Sequence, residues 1–117
     1  MPDARALAAT YFSAWDAGDA DALRSVLAED VDFQGPLGTA RGREECVAGL
    51  AGMRAHVATG IEVELQLVDG HDALTWFAMR TAAGTLPVVN RMHVGPAGIE
   101  RIRVVFDPRP LVAQPRT

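Results

Sequence analysis

Lysine is absent: all eleven basic residues of this 117-residue chain are arginine, and twenty residues are alanine. Both biases are those expected of a GC-rich genome and carry no message about a ligand. Positive charge is also short, with fifteen acidic residues against eleven basic ones and a net charge of −4. That balance argues against a nucleic-acid binder that works by neutralising phosphates. Cysteine occurs once, at Cys46, which excludes an internal disulfide framework and any multi-cysteine metal site. No apolar run approaches the roughly 18 residues that span a bilayer. Met1-Pro2-Asp3 begins no charged-then-apolar leader, so a cytoplasmic protein is expected. What is there is a 49% hydrophobic chain without repeat, linker or low-complexity stretch. It reads as one domain, residues 1–117.

The first half has helical periodicity. In Ala4–Ala17, Leu7, Ala8, Tyr11, Phe12, Ala14 and Trp15 recur at spacings of three and four, which is one helix face. Gly18 ends that helix, and Asp19 caps a shorter one carrying Leu23, Val26 and Leu27. Val31 and Phe33 alternate with Asp32 and Gln34 in a short strand that stops at Gly35-Pro36. After a Gly38–Gly42 loop, a third helix at about Glu44–His56 places Cys46, Val47, Leu50 and Met53 on one side.

The second half changes to a period of two. Ile61, Val63, Leu65 and Leu67 alternate with Glu62, Glu64 and Gln66, predicting a strand with one buried face. Asp69-Gly70 marks a tight turn, and Ala73–Thr81 is a second strand, followed by a turn at Ala83-Gly84. A third strand carries Leu86, Val88, Asn90, Met92 and Val94 on one face, with Pro87, Val89, Arg91 and His93 on the other. After Gly95–Gly98, the last strand alternates Ile102, Val104 and Phe106 with Arg101, Arg103 and Val105, ending at Asp107-Pro108. Helices first and antiparallel hairpins second predict an α+β fold, a curved sheet with helices covering one face.

Two polar residues stand on apolar faces. Asn90 is the one strongly polar side chain in the Leu86–Val94 stripe, and burying its amide unpaired costs roughly 1–3 kcal/mol. Tyr11 shares a helix face with Leu7 and Trp15, so its ring is buried while its hydroxyl needs a partner. Each is satisfied either by the protein itself or by something bound.

The words Tyr11-Phe12-Ser13-Ala14-Trp15-Asp16-Ala17-Gly18-Asp19, Leu27-Ala28-Glu29-Asp30-Val31-Asp32-Phe33 and Gly42-Arg43-Glu44 resemble the nuclear transport factor 2-like superfamily. The closing Ile99–Pro108 segment is similar to its SnoaL-like (polyketide cyclase) and ketosteroid isomerase branches. The resemblance covers roughly residues 4–110. It implies a cone-shaped, curved antiparallel sheet wrapped around three N-terminal helices and enclosing an apolar pocket, often in a dimer joined through the outer sheet face. It implies no single function, because one scaffold hosts isomerases, cyclases, hydrolases, dehydratases and non-enzymatic binders.

By that resemblance Tyr11 falls on the isomerase's oxyanion-hole tyrosine and Asn90 on the protonated aspartic acid beside it, donors that stabilise a developing enolate. The isomerase's proton-shuttling aspartate falls at Gly35, and glycine moves no proton. No other carboxylate replaces it cleanly. Asp32 has the wrong strand parity, and Asp16 lies off the pocket face of its helix. Asp107 ends the last strand, where some cyclase-type relatives keep an acid, so it stays a catalytic candidate although its parity points away from Phe106. The acid–arginine pair of the epoxide-hydrolase branch is missing, since Val88, Asn90 and Met92 occupy that strand.

The remaining expectations are these. Trp15, Phe33, Leu37, Met53, Phe77, Met79, Val88, Met92, Ile102, Val104 and Phe106 line the pocket and contact substrate. Cys46 is a buried, inert thiol. His56, His71 and His93 have no metal-ligand spacing, so neither metal nor cofactor is expected. Trp76, Arg80, Arg91, His93, Arg101 and Arg103 share the outward face, where a homodimer would close. Two functional readings stay open. One is a cyclase- or isomerase-like enzyme acting on an apolar carbonyl-bearing metabolite, with Tyr11 and Asn90 as hydrogen-bond donors. The other is a non-catalytic module for hydrophobic-ligand binding or dimerisation.

Overall fold

Asp3 starts helix α1 (Ala4–Ala17) by accepting a hydrogen bond from the Arg5 amide at 3.1 Å. Gly18 stops it with a left-handed φ of 71°, closing the turn onto the Ala14 and Trp15 carbonyls. Asp19 then caps α2 (Ala20–Val26) through the Ala22 amide, so two residues reverse the chain. In this computed structural model, residues 2–112 are described; residue 1 and residues 113–117 of the expected 1–117 domain lie outside them.

The strands follow as β1 (Leu27–Gly35) and β2 (Gly38–Arg41), then helix α3 (Arg43–His56), then β3 (Ala58–Asp69), β4 (Asp72–Thr81), β5 (Gly84–Gly95) and β6 (Gly98–Val105). A four-residue α4 (Arg109–Val112) comes last. The sheet has six strands in the order β2-β1-β6-β5-β4-β3. Every neighbouring pair is antiparallel except β1 and β6, which run parallel. Helices first, hairpins second and one α+β sheet match the expectation. The predicted parities of β4, β5 and β6 also hold: Phe77, Met79, Val88, Asn90, Met92, Val94 and Ile102 are buried on the inner face.

Three local expectations change. Leu27 belongs to β1, not to the second helix: its backbone is extended (φ −93°, ψ 136°), and Leu27 pairs with Ile99. Gly38–Arg41 is a strand instead of a loop, because Gly35-Pro36-Leu37-Gly38 forms a hairpin that brings β2 alongside β1. The third correction concerns β3. Val63 pairs with Phe77 and Leu65 with Trp76, so Glu64 is an extra residue, a bulge that turns the strand by one parity step. Ile61 and Val63 stay on the inner side, whereas Leu65 and Leu67 emerge on the outer face opposite Trp76 and Leu74. All four of those outer residues are exposed. The predicted single buried stripe is therefore two half-stripes on opposite faces.

Packing explains the curvature. Ala8, Tyr11, Phe12 and Trp15 of α1 and Cys46, Val47 and Leu50 of α3 press into the concave face of the sheet as one core cluster. Further register shifts at Ala58–Gly60 in β3 and at Glu100 of β6, opposite His93–Val94, bend the strands around them. Gly98 permits one close approach. Its φ is 127°, and a Cβ there would sit 2.7 Å from the Val26 carbonyl oxygen. Only glycine lets β6 begin directly under the α2–β1 junction.

Candidate functional site

The helices do not fill the cone. A cavity of about 250 Å³ remains between α1, α3 and the concave sheet face. Tyr11 and Trp15 come from α1, Phe33 and Gly35 from β1, and Pro36 and Leu37 from the β1–β2 turn. Thr39 and Ala40 of β2 and Cys46, Gly49, Leu50 and Met53 of α3 form another wall. Phe77, Met79, Val88, Asn90 and Val104 of the sheet, with Phe106 beyond it, complete the lining.

Most of the predicted lining residues border this cavity, and three predicted site residues do not. Met92 and Ile102 face each other across β5 and β6, fully buried in the core beyond the cavity. Asp107 lies past the end of β6 and is exposed. It accepts from the Arg109 amide and from Arg109 Nε at 2.9 Å, and these hydrogen bonds hold its carboxyl below the usual range. Asp107 thus organises the turn into α4 and faces no ligand space. Asp16 pairs with Arg54 at 3.6 Å, away from the cavity, and Asp32 pairs with Arg103 at 3.1 Å on the outer face.

Within the cavity the polar groups are few. Trp15 Nε1 donates to the Leu50 carbonyl at 2.8 Å, which ties α1 to α3 and leaves the indole satisfied. Tyr11 is wholly buried, and burial pushes its hydroxyl well above the ordinary value of 10. The neighbouring Cys46 thiol adds to that shift, while the Asn90 side chain partly offsets it. Burial likewise pushes the Cys46 thiol up to about 12. Among the described residues, no Asp, Glu, His or Arg borders the cavity. Both titratable groups in the lining are therefore neutral near pH 7, and neither serves as a proton acceptor there.

Asn90 is the exception to good pairing. It is 1% exposed, and its Oδ1 is a buried acceptor without a hydrogen-bond partner among the described residues. On β4 its cross-strand neighbour is Thr75, also buried and facing inward. Thr75 Oγ1 accepts from Gln66 Nε2 at 3.0 Å, so an inward polar row crosses β3, β4 and β5. Sequence reasoning missed Thr75 and Gln66. Thr75 was visible as the lone polar residue in the Ala73–Met79 stripe; Gln66 was hidden, because the Glu64 bulge decides which way it faces.

Gly35 sits in the cavity wall, as the resemblance requires of the position that carries the isomerase's aspartate. A Cβ built there would meet the Phe33 ring at 3.3 Å and Val104 Cβ at 3.6 Å.

A curved α+β cone with an apolar interior and two polar groups at its wall defines the class of nuclear transport factor 2-like folds. The chain belongs to the SnoaL-like domain family, which residues 8–107 match. It is similar in structure to a nuclear transport factor 2-like protein of unknown function from Cytophaga hutchinsonii, with 22% identity, coverage of 95% of this chain and 96% of that one, and a TM-score of 0.82. A protein of ketosteroid isomerase-like fold from Catenulispora acidiphila, crystallised with trimethylamine, matches at 15% identity with a TM-score of 0.76, over 92% and 90% of the two chains. A de novo designed protein with a curved β-sheet matches at 20% identity and a TM-score of 0.80, over 91% and 86%. At these identities the likeness shows the fold alone. No protein of curated function matches the sequence. Among the described residues, no helix is long and apolar enough to cross a membrane.

Proposed function

We propose that this protein binds a compact, largely apolar metabolite in the cavity and holds its one oxygen function, a carbonyl or the enol derived from it, at Tyr11 and Asn90. The observation that carries the reading is the buried, unpartnered Asn90 Oδ1 in an otherwise apolar wall. A chain gains nothing for folding from an orphaned polar atom there, since an apolar residue of similar shape avoids the desolvation cost. In scale, a cavity of roughly 150 Å³ accepts benzene, so about 250 Å³ suits a small bicyclic skeleton.

On the enzymatic form of this reading, the protein is cyclase- or isomerase-like: the Tyr11 O–H and the Asn90 N–H, with the amide turned so that its nitrogen faces the ligand, polarise the substrate oxygen while the apolar wall fixes the substrate's shape. Tyr11→Phe and Asn90→Ala each then lower turnover without unfolding the protein. A second reading, a binder without chemistry, is favoured by one observation: among the described residues no lining group titrates near neutrality, and residue 35, which the resemblance matches to the isomerase's acid, is glycine.

Binding itself is tested by fluorescence. Trp15 borders the cavity and Trp76 lies exposed on the outer face, so Trp76→Phe leaves Trp15 as the reporter. Titration with indane is expected to change Trp15 emission saturably. A Gly49→Leu exchange, at a helical position whose Cβ meets nothing within 4 Å, is expected to fill the cavity mouth and abolish the change. An emission change that survives Gly49→Leu contradicts the reading.

The outer face supports a further part of the proposal, a homodimer. Leu65 (54% exposed), Leu67, Leu74, Trp76 (45%) and Val105 (67%) form an apolar band across the sheet. Around it lie Arg80, Arg91, His93, Arg101 and Arg103. Arg80 pairs with Glu62, Arg91 and His93 pair with Asp72, and Arg103 pairs with Asp32. Contiguous exposed apolar surface with a polar rim is the pattern of an interface, and a second copy of this chain is the partner proposed.

A further inference from the structure

We infer that the compact apolar part held in the cavity is the head of a longer ligand, whose aliphatic chain leaves through a mouth between the β1–β2 turn and α3 and ends in water. The inference rests on the reading of the cavity as a ligand site. It adds the class of the molecule, a ring or branched head on an extended chain with a polar terminus.

The cavity is walled by buried residues on most sides and by exposed ones on one side. Tyr11, Trp15, Phe77, Met79, Val88 and Asn90 are all buried. The exposed lining residues are Pro36, Leu37, Gly38 and Thr39 of the β1–β2 hairpin and Gly49 of α3. The Arg41 amide donates to Glu45 Oε1 at 3.0 Å. That bond ties the end of β2 to the first turn of α3, so the opening lies farther along the helix, at Gly49. Leu37 is 43% exposed, an apolar side chain left on the rim.

Two glycines mark the way out. Gly49 and Gly52 stand in the interior of the 14-residue α3, at a spacing of three that makes them neighbours on the helix surface. Each costs about 0.5–1 kcal/mol relative to alanine there. Neither has a left-handed φ, and a Cβ built at either meets nothing within 4 Å. Backbone conformation and packing among the described residues therefore do not require them. Composition does not require them either, since the bias that enriches alanine in this chain is served equally well by alanine at these positions. What glycine provides is a lane without side chains, running from the cavity lining at Gly49 outward to Gly52. An aliphatic chain that leaves the cavity there lies along helix backbone, with Leu37 on the rim across from it.

The interior decides which part of the ligand must stay outside. A volume of about 250 Å³ takes a ring and a short stub of chain, given that roughly 150 Å³ accepts benzene. Among the described residues no cation borders it, so a charged group held inside is desolvated and unpaired, which is strongly disfavoured. A charged terminus is tolerated only on a chain long enough to carry it through the mouth. The penalty for charge, followed against chain length, therefore reports whether the mouth is a passage.

The test is isothermal titration calorimetry on the full chain at neutral pH with indane and two matched pairs, 2-phenylethanol with phenylacetate and 8-phenyloctanol with 8-phenyloctanoate. The alcohol is expected to bind at least about a hundredfold more tightly than the carboxylate in the short pair, and within about threefold of it in the long pair. Indane is expected to displace 8-phenyloctanoate. Gly52→Leu, with its fold checked by circular dichroism, is expected to cost 8-phenyloctanoate about tenfold more affinity than it costs indane. A charge penalty that does not fall with chain length, or indane binding with neither long probe bound, overturns the inference and leaves the cavity reading intact. Binding of 8-phenyloctanoate that indane does not displace overturns it too, because the chain then lies elsewhere on the protein. If indane and all four phenyl probes fail to bind, the cavity reading falls and this inference falls with it. The wild-type series decides the matter even if Gly52→Leu does not fold.

Discussion

Replacing Tyr11 and Asn90 together, as Tyr11→Phe with Asn90→Leu, separates a site from a structural hydrogen bond. The exchange removes the unpartnered Asn90 Oδ1, whose desolvation costs about 1–3 kcal/mol. It also removes the interaction between the Asn90 and Tyr11 side chains, a neutral pair contributing about 0.5–1.5 kcal/mol, but takes both partners away so that neither is left unpaired. Side-chain volumes change little and the replacements suit an apolar wall. The double variant is expected to be about 1–2 kcal/mol more stable than the parent. With a urea slope of about 2 kcal/mol per molar, the unfolding midpoint rises by about 0.5–1 M. The single exchanges complete the cycle: Tyr11→Phe takes that partner from the Asn90 side chain and loses about 1 kcal/mol, and Asn90→Leu gains less than the double variant. A double variant more than about 1 kcal/mol less stable than the parent refutes the reasoning, because the pair is then part of what holds the core together.

Five other outcomes follow from the same structure. Gly98→Ala places a Cβ 2.7 Å from a backbone oxygen at a φ of 127°, and is expected to cost about 2–3 kcal/mol in urea unfolding. Gly35→Asp meets only the Phe33 ring and Val104 at ordinary or slightly close distances, so the protein is expected to fold. The new carboxyl, facing an apolar wall, is expected to titrate above the usual range by NMR; an ordinary value contradicts the placement of that position. Ligand affinity is expected to be flat between about pH 5 and 9, where no lining group titrates. Stability is expected to decline as pH rises from 9, the ordinary thiol value, toward about 12, the folded value of Cys46. The sign follows from the raised folded value: the native state retains the thiol proton that the unfolded chain gives up. Urea unfolding across that range shows a flatter profile for Cys46→Ala. In sedimentation velocity, Trp76→Lys is expected to convert a dimer to a monomer, and an unchanged monomeric species in both proteins contradicts the proposed interface.

How far the sequence alone reached can be judged from particular residues. The Leu86–Val94 stripe made Asn90 conspicuous, because strand parity is strict and a polar residue among inward positions has few reasons to be there. The same test applied to Ala73–Met79 singles out Thr75. The helical spacing of Leu7, Tyr11 and Trp15 by itself places Tyr11 against the sheet. What the sequence could not announce was the bulge at Glu64. Period-two alternation continues unbroken through Ile61–Leu67 in the sequence, and only the tertiary pairing with β4 inserts the extra residue that sends Leu65 and Leu67 outward. That one event hid both the apolar outer band and the inward turn of Gln66. Met92 and Ile102 were assigned to the lining by parity, which reports the face of the sheet but not how far along the cone the space extends. Asp107 fell outside for a simpler reason, since the strand ends before it and Arg109 claims its carboxylate.

The central claim is that the cone holds a ligand space with Asn90 at its wall. The direct measurement is an NMR titration with 1-indanol that follows the Met53 and Met79 methyl groups, the Asn90 side-chain amide and the Trp76 indole. Saturable shifts at the first three, a still indole, and loss of the response in a folded Gly49→Leu protein are the predicted result. Shifts confined to Trp76 and its outer-face neighbours, or a response that Gly49→Leu leaves unaltered, would contradict it.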